Sequence, residues 1–213
     1  MVKFLYIFAC LSVVFSCANA DHVIELINGT IKITVGTTAG CSATVRFFNE
    51  HLVETYETYK EFLRLEFVPW GRSSYDENGT MNCQFGPRDC FANRVHRCAL
   101  NLLSGNQDAQ MMYMTCEFTT PFPAFSGSYL CANAIGINLV DLDYCVTTTG
   151  HDLDLAAQEA AREPVEILHY IPTVHFNDVA DRDLRTQAVR RLKSLICFAL
   201  AEDESTGVTS CLI

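Results

Sequence analysis

Basic side chains are scarce in this 213-residue chain, where 15 Lys and Arg face 25 Asp and Glu and the formal net charge is −10. A nucleic-acid-binding surface needs clustered Lys and Arg to neutralise phosphates, so this balance argues against a nucleic-acid partner. The one basic cluster, Arg-Arg-Leu-Lys at 190–193, lies in a helical pattern and is interpreted as a solvated helix face.

The chain also lacks the common motifs of metal and nucleotide sites. Its six histidines are scattered, and the gaps between Cys83, Cys90 and Cys98 are longer than the short spacings of zinc sites. There is no nucleophile elbow and no phosphate-binding glycine loop. The segment Gly-His-Asp-Leu-Asp at 150–154 is interpreted as a helix start with Asp152 as N-cap. We therefore expect no metal and no other cofactor.

Long apolar runs are absent after the N-terminus, so no membrane span is expected. Residues 1–20 combine Lys3, a short apolar centre and the small residues Ala-Asn-Ala at 18–20, which predicts a secretory signal peptide. The apolar run is too short to cross a bilayer comfortably. The predicted mature chain, 21–213, is long enough for one domain with a sizeable core.

Cysteine is abundant instead. Two of the eleven cysteines, Cys10 and Cys17, lie in the predicted signal peptide, which leaves nine. In a secretory compartment most cysteines are paired, and an odd number means that at least one is free or bonded to another molecule. The sequons at Asn28 and Asn78 predict glycosylation in the same compartment.

The N-terminal part of the predicted mature chain reads as strand, helix, strand. Residues 23–38 alternate and are rich in Ile, Val and Thr, which predicts a strand or a hairpin through Asn28 and Gly29. From Cys41 the apolar residues recur at helical spacing, and residues 63–71 predict a second strand. A strand, crossover helix and strand imply a parallel pair, so the expected fold class is α/β.

The middle of the chain changes character and carries most of the remaining cysteines. Helices are predicted at about 88–103, 107–117 and 152–162, with an irregular aromatic loop at 118–129. The loop is a candidate binding surface, but we favour packing of Phe118, Phe122 and Phe125 against the sheet. A strand at 166–178 and a helix at 182–200 follow. The ends of the chain are therefore expected to form the sheet, with a disulfide-laced helical insertion between them.

Cys41 lies where a helix is predicted to begin after a strand. Unpaired backbone N–H groups at such a position favour the thiolate and activate a nucleophile. The flanking residues are small and polar, so we expect an accessible thiol; a buried structural cysteine or a half-cystine is the alternative.

Pro172 interrupts an otherwise regular strand pattern. A strand tolerates proline at an edge, at its start or at a special turn, and an edge-strand proline is the simplest interpretation. A cis peptide bond is the other, and backbone beside it can then pair with an extended peptide near a cysteine.

The segment from Cys83 to Cys98 closely resembles the signature C-Q-H-G-x-x-E-C-x-x-N-x-x-x-x-C of the gamma-interferon-inducible lysosomal thiol reductase (GILT) family. Phe85 stands in place of the signature histidine and Asp89 in place of the glutamate. The resemblance extends over nearly the whole predicted mature chain. The matching signature positions are Cys83, Gln84, Gly86, Cys90, Asn93 and Cys98, and the matching later cysteines are Cys116, Cys131, Cys145, Cys197 and Cys211.

The resemblance implies a thioredoxin-like fold with a helical, disulfide-rich insertion and a cis bond before Pro172. The core would comprise about 21–72 and 163–213, and the insertion about 73–162. It also implies a C-x-x-C redox motif whose first cysteine is Cys41. The eight cysteines of the insertion and tail then form four structural disulfides, with their connectivity left open, and Cys41 is the free one.

The second motif position is Thr44, where this sequence departs from the family. In dithiol reduction the first thiolate forms a mixed disulfide and the second thiol releases the reduced substrate. A hydroxyl cannot perform that release, although the Thr44 hydroxyl could hydrogen-bond the Cys41 sulfur.

Three functional hypotheses follow from this departure. The first is a protein without dithiol reductase activity that acts by binding another protein. The second is monothiol chemistry at Cys41, and the third is residual reduction of protein disulfides through another cysteine. Partners are accordingly a protein or a disulfide-containing substrate. We expect secretion, with a lysosomal location as the alternative.

Overall fold

The computed structural model describes residues 24–119 and 122–211. The predicted signal peptide, 1–20, lies outside these residues. Five strands are described: β1 (Ile31–Thr37), β2 (Leu63–Pro69), β3 (Ser74–Tyr75), β4 (Met81–Asn82) and β5 (Thr173–Phe176). The helices described are α1 (Ser42–Phe47), α2 (Val53–Tyr59), α3 (Pro87–Leu102), α4 (Gln107–Glu117), α5 (Leu130–Ala134), α6 (Leu139–Tyr144), α7 (Gly150–Leu168) and α8 (Arg182–Ala201).

The sheet is built around β1, with strand order β2-β1-β5. β1 pairs in parallel with β2, from Ile31 opposite Leu63 to Thr37 opposite Pro69. The connection runs through α1, a π-helical turn at Phe48–Leu52 and α2. The predicted strand, helix, strand unit is therefore confirmed. Because β1 is central, it is buried along its whole length except at Lys32, which is partly exposed.

The predicted hairpin at the start of the chain is reduced to a tight turn. Asn28 and Gly29 both have positive φ, and Ile27 and Thr30 form an isolated antiparallel bridge across them. The left-handed conformation suits the Asn-Gly pair. Residues 24–26 form no strand, so the regular structure begins at Ile31.

β5 is shorter than the strand predicted at 166–178. It runs antiparallel to β1, with Ile33 opposite Phe176 and Gly36 opposite Thr173. The residues before it belong to α7, which continues through Pro164 to Leu168. Pro164 has no backbone N–H, so α7 loses one helical hydrogen bond there. Burial of the apolar face of α7, which includes Ala161 and Leu168, stabilises the helix by more than this loss. The helix then ends at His169, whose φ of 60° is left-handed.

The insertion is helical, as predicted. The helices expected at 88–103, 107–117 and 152–162 correspond to α3, α4 and α7, whereas α5, α6 and the short β3–β4 hairpin were not predicted. α7 begins at Gly150 with Thr149 as its N-cap, so the N-cap prediction for Asp152 is wrong. Asp152 lies instead in the first turn, where a carboxylate is favourable to the helix dipole.

Four disulfides pair all the cysteines described except Cys41. Three lie inside the insertion and one closes the C-terminal segment after α8. The pairs are Cys83–Cys90, Cys98–Cys145, Cys116–Cys131 and Cys197–Cys211. Each such bridge typically contributes about 2–4 kcal/mol by restricting the unfolded chain. Three of the bridges therefore brace the insertion, and the fourth ties the C-terminal segment to α8.

Aromatic rings join the insertion to the sheet. Phe118 is fully buried, and its ring centroid lies 4.7 Å from that of Phe48, which also stacks on Phe67 of β2 at 5.9 Å. The packing predicted for Phe118 is therefore confirmed. The whole is an α/β molecule with a thioredoxin-like core and a helical, disulfide-rich insertion.

Candidate redox site around Cys41

Cys41 is the N-cap residue of α1 and follows β1 through the short loop of residues 38–40. It is the free cysteine of the described residues. Its sulfur lies 3.9 Å from the carbonyl oxygen of Ile171, to which the thiol donates. The peptide bond between Ile171 and Pro172 is cis. The fold thus brings the two ends of the core together, with Cys41 and Pro172 at one site.

The Cys41 side chain is not accessible as predicted. Only 7% of the residue is exposed. The rings of Phe85 and Phe125 lie against the preceding Gly40, where an added Cβ would come within 2.9 Å of either ring. A glycine is required at this point because the aromatic side chains approach its backbone so closely. The small, polar flanks suggested access, but two aromatic residues distant in sequence cover them.

Thr44 lies one turn further along α1 and is fully buried. Its hydroxyl has no hydrogen-bond partner among the described residues. The expected hydrogen bond from Thr44 to the Cys41 sulfur is therefore absent from this structure. The position that would carry a resolving thiol instead carries a buried hydroxyl, and an unsatisfied buried hydroxyl generally costs free energy.

The start of α3 holds the loop that precedes Cys41. The Asp89 carboxylate accepts hydrogen bonds from the Thr38 hydroxyl at 2.8 and 2.9 Å and from the Gly40 backbone N–H at 3.2 Å. Asn93, one turn later, accepts from the Ala39 backbone N–H at 2.9 Å. Asp89 and Asn93 are fully buried. Two signature positions therefore fix the backbone of the three residues before the thiol.

Asn93 and Phe85 donate further hydrogen bonds within the same network around Asp89. Asn93 donates through Nδ2 to the Thr38 hydroxyl and to Asp89, both at 3.2 Å, and the Phe85 backbone N–H donates to Asp89 at 3.2 Å. Both carboxylate oxygens of Asp89 therefore accept hydrogen bonds, which a buried charged group requires. Asp89 replaces the longer glutamate of the signature and still reaches the loop.

The remaining signature residues have structural positions. Gly86 has a φ of 81° as the N-cap of α3, a conformation that favours glycine, and Gln84 is exposed beside it. Cys83 and Cys90 close the turn between β4 and α3. Asn28 and Asn78 are both exposed, in turns distant in sequence from Cys41, and their glycosylation stays a prediction.

Arg185 of α8 approaches the site from the other side and was not singled out from the sequence. Its Nε and Nη2 atoms donate to the Pro172 carbonyl at 3.2 and 3.0 Å, and its guanidinium lies 5.2 Å from the Tyr170 ring centroid. Burial lowers the pKa of Arg185, while the charges of Tyr170 and Cys41 act to raise it. No sequence pattern marks this residue, because it meets Cys41 only through the fold.

A buried charge cluster away from Cys41 was also missed. Asp154 of α7 is fully buried and accepts hydrogen bonds from Arg94 and Arg97 of α3. Tyr75 donates to the same carboxylate at 2.9 Å. The cluster ties the helices of the insertion together. Asp154 belongs to the segment 150–154, whose sequence predicted only a helix start.

The residues that the structure describes contain no group of three His, Cys, Asp or Glu side chains arranged to hold a metal ion. None of the helices within them is long and apolar enough to cross a membrane.

Several solved structures are similar in fold. A thioredoxin-like oxidoreductase from Silicibacter pomeroyi aligns at a TM-score of 0.49 and 16% identity, over 78% of this chain and 87% of that one. MdbA, a thiol-disulfide oxidoreductase from Actinomyces oris, aligns at a TM-score of 0.49 and 13% identity, over 87% of this chain and 83% of that one.

Two curated proteins are similar in sequence along most of their length. A gamma-interferon-inducible lysosomal thiol reductase-like protein of Anopheles gambiae is 27% identical over 180 residues, 76% of this chain and 73% of the relative. GILT-like protein 1 of Drosophila melanogaster is 25% identical over 185 residues, 78% of this chain and 74% of the relative. The model of the family "Gamma interferon inducible lysosomal thiol reductase (GILT)" matches residues 32–134. That span includes Cys41, Thr44 and the segment from Cys83 to Cys98.

Proposed function

The chain belongs to the GILT family, and from this premise we propose that it binds a protein partner at the Cys41 face without turning over disulfides by a two-cysteine mechanism. The observation that carries the proposal is the buried, unpartnered hydroxyl of Thr44 at the resolving position. The described cysteines other than Cys41 are bonded in disulfides, so none of them is a free thiol that could take over the second step.

Aromatic side chains around Cys41, two of them exposed and one partly buried, support the binding part of the proposal. We call Phe85, Phe125 and Tyr170 the aromatic rim. Phe85 and Tyr170 are 42% and 63% exposed, and they lie on the two sides of the site, beside Gly40 and Ile171. Aromatic side chains are enriched at protein interfaces and often dominate their energetics. In the family signature Phe85 replaces a histidine, which makes this side of the rim more apolar.

A second candidate function is monothiol exchange, and the position of Cys41 beside the cis Ile171–Pro172 bond favours it, because backbone there can pair with an extended partner peptide. A Cys41 thiolate would attack one sulfur of a partner disulfide. The new bond joins Cys41 to that sulfur, and the other partner sulfur leaves as a thiolate that takes up a proton. A small thiol must then attack the mixed disulfide, forming its own mixed disulfide with the partner and returning Cys41 to the thiol.

The wild-type protein is expected to reduce insulin no faster than the small thiol in the assay buffer, at acid and at neutral pH. The reason is that a mixed disulfide at Cys41 has no internal thiol to release it. Precipitation of the reduced insulin chains measures the rate, and Cys41→Ser provides the blank. Reduction clearly above both backgrounds, and absent from Cys41→Ser, would overturn the proposal.

Binding is expected to depend on the aromatic rim. Phe85→Ser and Tyr170→Ser should each weaken binding to an immobilised random-peptide library by about tenfold, the equivalent of ~1.4 kcal/mol. Phe198→Ser is a matched control, because Phe198 is 37% exposed near the far end of α8. Cys41→Ser should leave this non-covalent binding unchanged. Equal losses in the rim and control variants would show that the rim is not the binding surface.

The proposal includes secretion and glycosylation at Asn28 and Asn78. The disulfides support it, because such bonds persist in oxidising compartments. Retention of the expressed protein inside the cell in a lysosomal fraction, rather than in the medium, would favour the lysosomal alternative.

A further inference from the structure

We propose that Arg185 is a positioning residue for Cys41, which fixes the Ile171–Pro172 segment against the thiol and supplies the positive charge that favours the thiolate. This inference rests on the second candidate function, in which Cys41 retains the attacking half of the exchange chemistry. It concerns the atoms that surround the sulfur and requires no knowledge of the partner.

Arg185 donates two hydrogen bonds that converge on one carbonyl oxygen. Its Nε and Nη2 atoms both reach the Pro172 carbonyl, at 3.2 and 3.0 Å, which fixes the guanidinium plane as well as its position. The preceding carbonyl, that of Ile171, accepts from the Cys41 sulfur at 3.9 Å. Arg185 therefore anchors one end of the short segment whose other carbonyl contacts the thiol.

The Arg185 guanidinium also contacts the aromatic ring of Tyr170. Its ring centroid is 5.2 Å from the Arg185 Cζ atom, within the distance at which a cation is attracted to an aromatic face. The half-buried cation thus contacts two residues of the segment 170–172. Arginine stays protonated at all ordinary pH values, so its charge is permanently present beside the site.

Arg185 and Cys41 interact electrostatically. Burial lowers the pKa of Arg185, but a negatively charged Cys41 acts to raise it. The hydrogen bonds place this cation at the Pro172 carbonyl, next to the Ile171 carbonyl that contacts the Cys41 sulfur, and a nearby positive charge favours a negatively charged sulfur. Two groups act against the thiolate: the Ile171 carbonyl, which accepts a hydrogen bond from the protonated thiol, and the Asp89 carboxylate on the α3 side, which accepts from the neighbouring Gly40 N–H. The Cys41 site thus has a cation on its α8 side and a carboxylate on its α3 side.

The alternative is a purely structural role, in which Arg185 only ties α8 to the loop before β5. The two roles differ in the pH at which the thiol ionises. A structural tie affects stability and access to the sulfur at every pH. A positioning charge changes the pH at which the Cys41 thiol ionises. A lysine at position 185, which keeps the positive charge, should preserve part of that effect.

The test is the pH profile of Cys41 alkylation by iodoacetamide in the full chain with its disulfides intact. In Arg185→Gln the alkylation midpoint should rise, and the alkylation rate below the midpoint should fall about threefold. The limiting rate at high pH should not fall and should rise by at most about threefold, because a thiolate that forms at higher pH is somewhat more nucleophilic. Arg185→Lys should keep a midpoint close to that of the wild type.

The ultraviolet absorbance of the thiolate, corrected with Cys41→Ser, gives the midpoint without depending on reagent access. If Arg185→Gln does not fold, Arg185→Met takes its place, because it retains the apolar stem. A reactive wild type with the same midpoint in these variants would overturn the inference about Arg185 alone. A wild-type Cys41 that neither ionises nor reacts would overturn both this inference and the monothiol function.

Discussion

Replacing Thr44 with cysteine is expected to turn the protein into a disulfide reductase, with insulin reduction rising on the order of 100-fold above wild type. The new thiol would stand three residues after Cys41 on the first turn of α1, close enough to attack a mixed disulfide at Cys41. Positioning two reactants within one molecule accounts for the expected size of the gain. The Thr44 hydroxyl makes no hydrogen bond, so its removal leaves no partner unsatisfied.

Two controls isolate the role of the thiol. Thr44→Val has nearly the shape of threonine and no sulfur, and it should stay at background. Cys41→Ser combined with Thr44→Cys keeps the new thiol and removes the first nucleophile, and it should also be inactive. If Thr44→Cys adds little to a wild type that already reduces insulin, then another cysteine resolves the mixed disulfide and the third hypothesis is correct.

Replacing Asp154 with alanine is expected to lower the free energy of unfolding by about 3–5 kcal/mol, because it leaves a buried guanidinium without its counter-charge. The Arg97 side chain is only 4% exposed, and besides Asp154 it contacts the Pro69 carbonyl and lies 5.4 Å from the Trp70 ring. Urea denaturation measures the change. Loss of the Asp154 carboxylate should weaken the packing of α3 against α7 and against the end of β2.

Glu159→Ala provides the matched control on the same helix. Glu159 pairs with Arg162, and the two side chains are 68% and 70% exposed, so their bond should contribute less than about 1 kcal/mol. Equal effects of the two variants would mean that Asp154 acts only through helix propensity or packing. Melting of the Asp154→Ala protein at the wild-type midpoint would contradict the assigned role of the cluster.

The Asp154 cluster should also resist moderate acid. Burial acts to raise the pKa of Asp154, but the hydrogen bonds and charges of Arg94 and Arg97 outweigh it, so the pKa is lowered. A lowered pKa in the folded state contributes stability above the unfolded value of about 3.9, and that contribution is lost as the pH falls through the folded value. The brace between α3 and α7 therefore persists at mildly acid pH.

The local order of elements was predictable because it depends on short-range periodicity. The alternation of residues 31–37 and the helical stripe after Cys41 correspond to β1 and the helices that follow it. Residues 166–168 show why short-range pattern was misleading before β5. They belong to the stretch 166–178 that predicted a strand, but α7 continues through Pro164 to the buried Leu168 and includes them.

The surroundings of Cys41 were less predictable because they are assembled from distant residues. The likeness to the family brought Cys41 and Pro172 to one site. It did not reveal the rings of Phe85 and Phe125 against Gly40, and access to the thiol was consequently predicted wrongly. Arg185 and Asp154 were missed for the same reason, since an isolated charge in a helical sequence is usually solvated.

The pairing of the cysteines has a consequence for proteolysis. One disulfide, Cys116–Cys131, joins the two ends of the aromatic loop. A second, Cys98–Cys145, joins a residue before this loop to a residue after it. A protease that cuts the backbone anywhere between Cys116 and Cys131 therefore leaves both fragments covalently attached at two points. A nicked molecule would travel as one chain until it met a reductant, so a cut in this loop alters the surface without releasing either half.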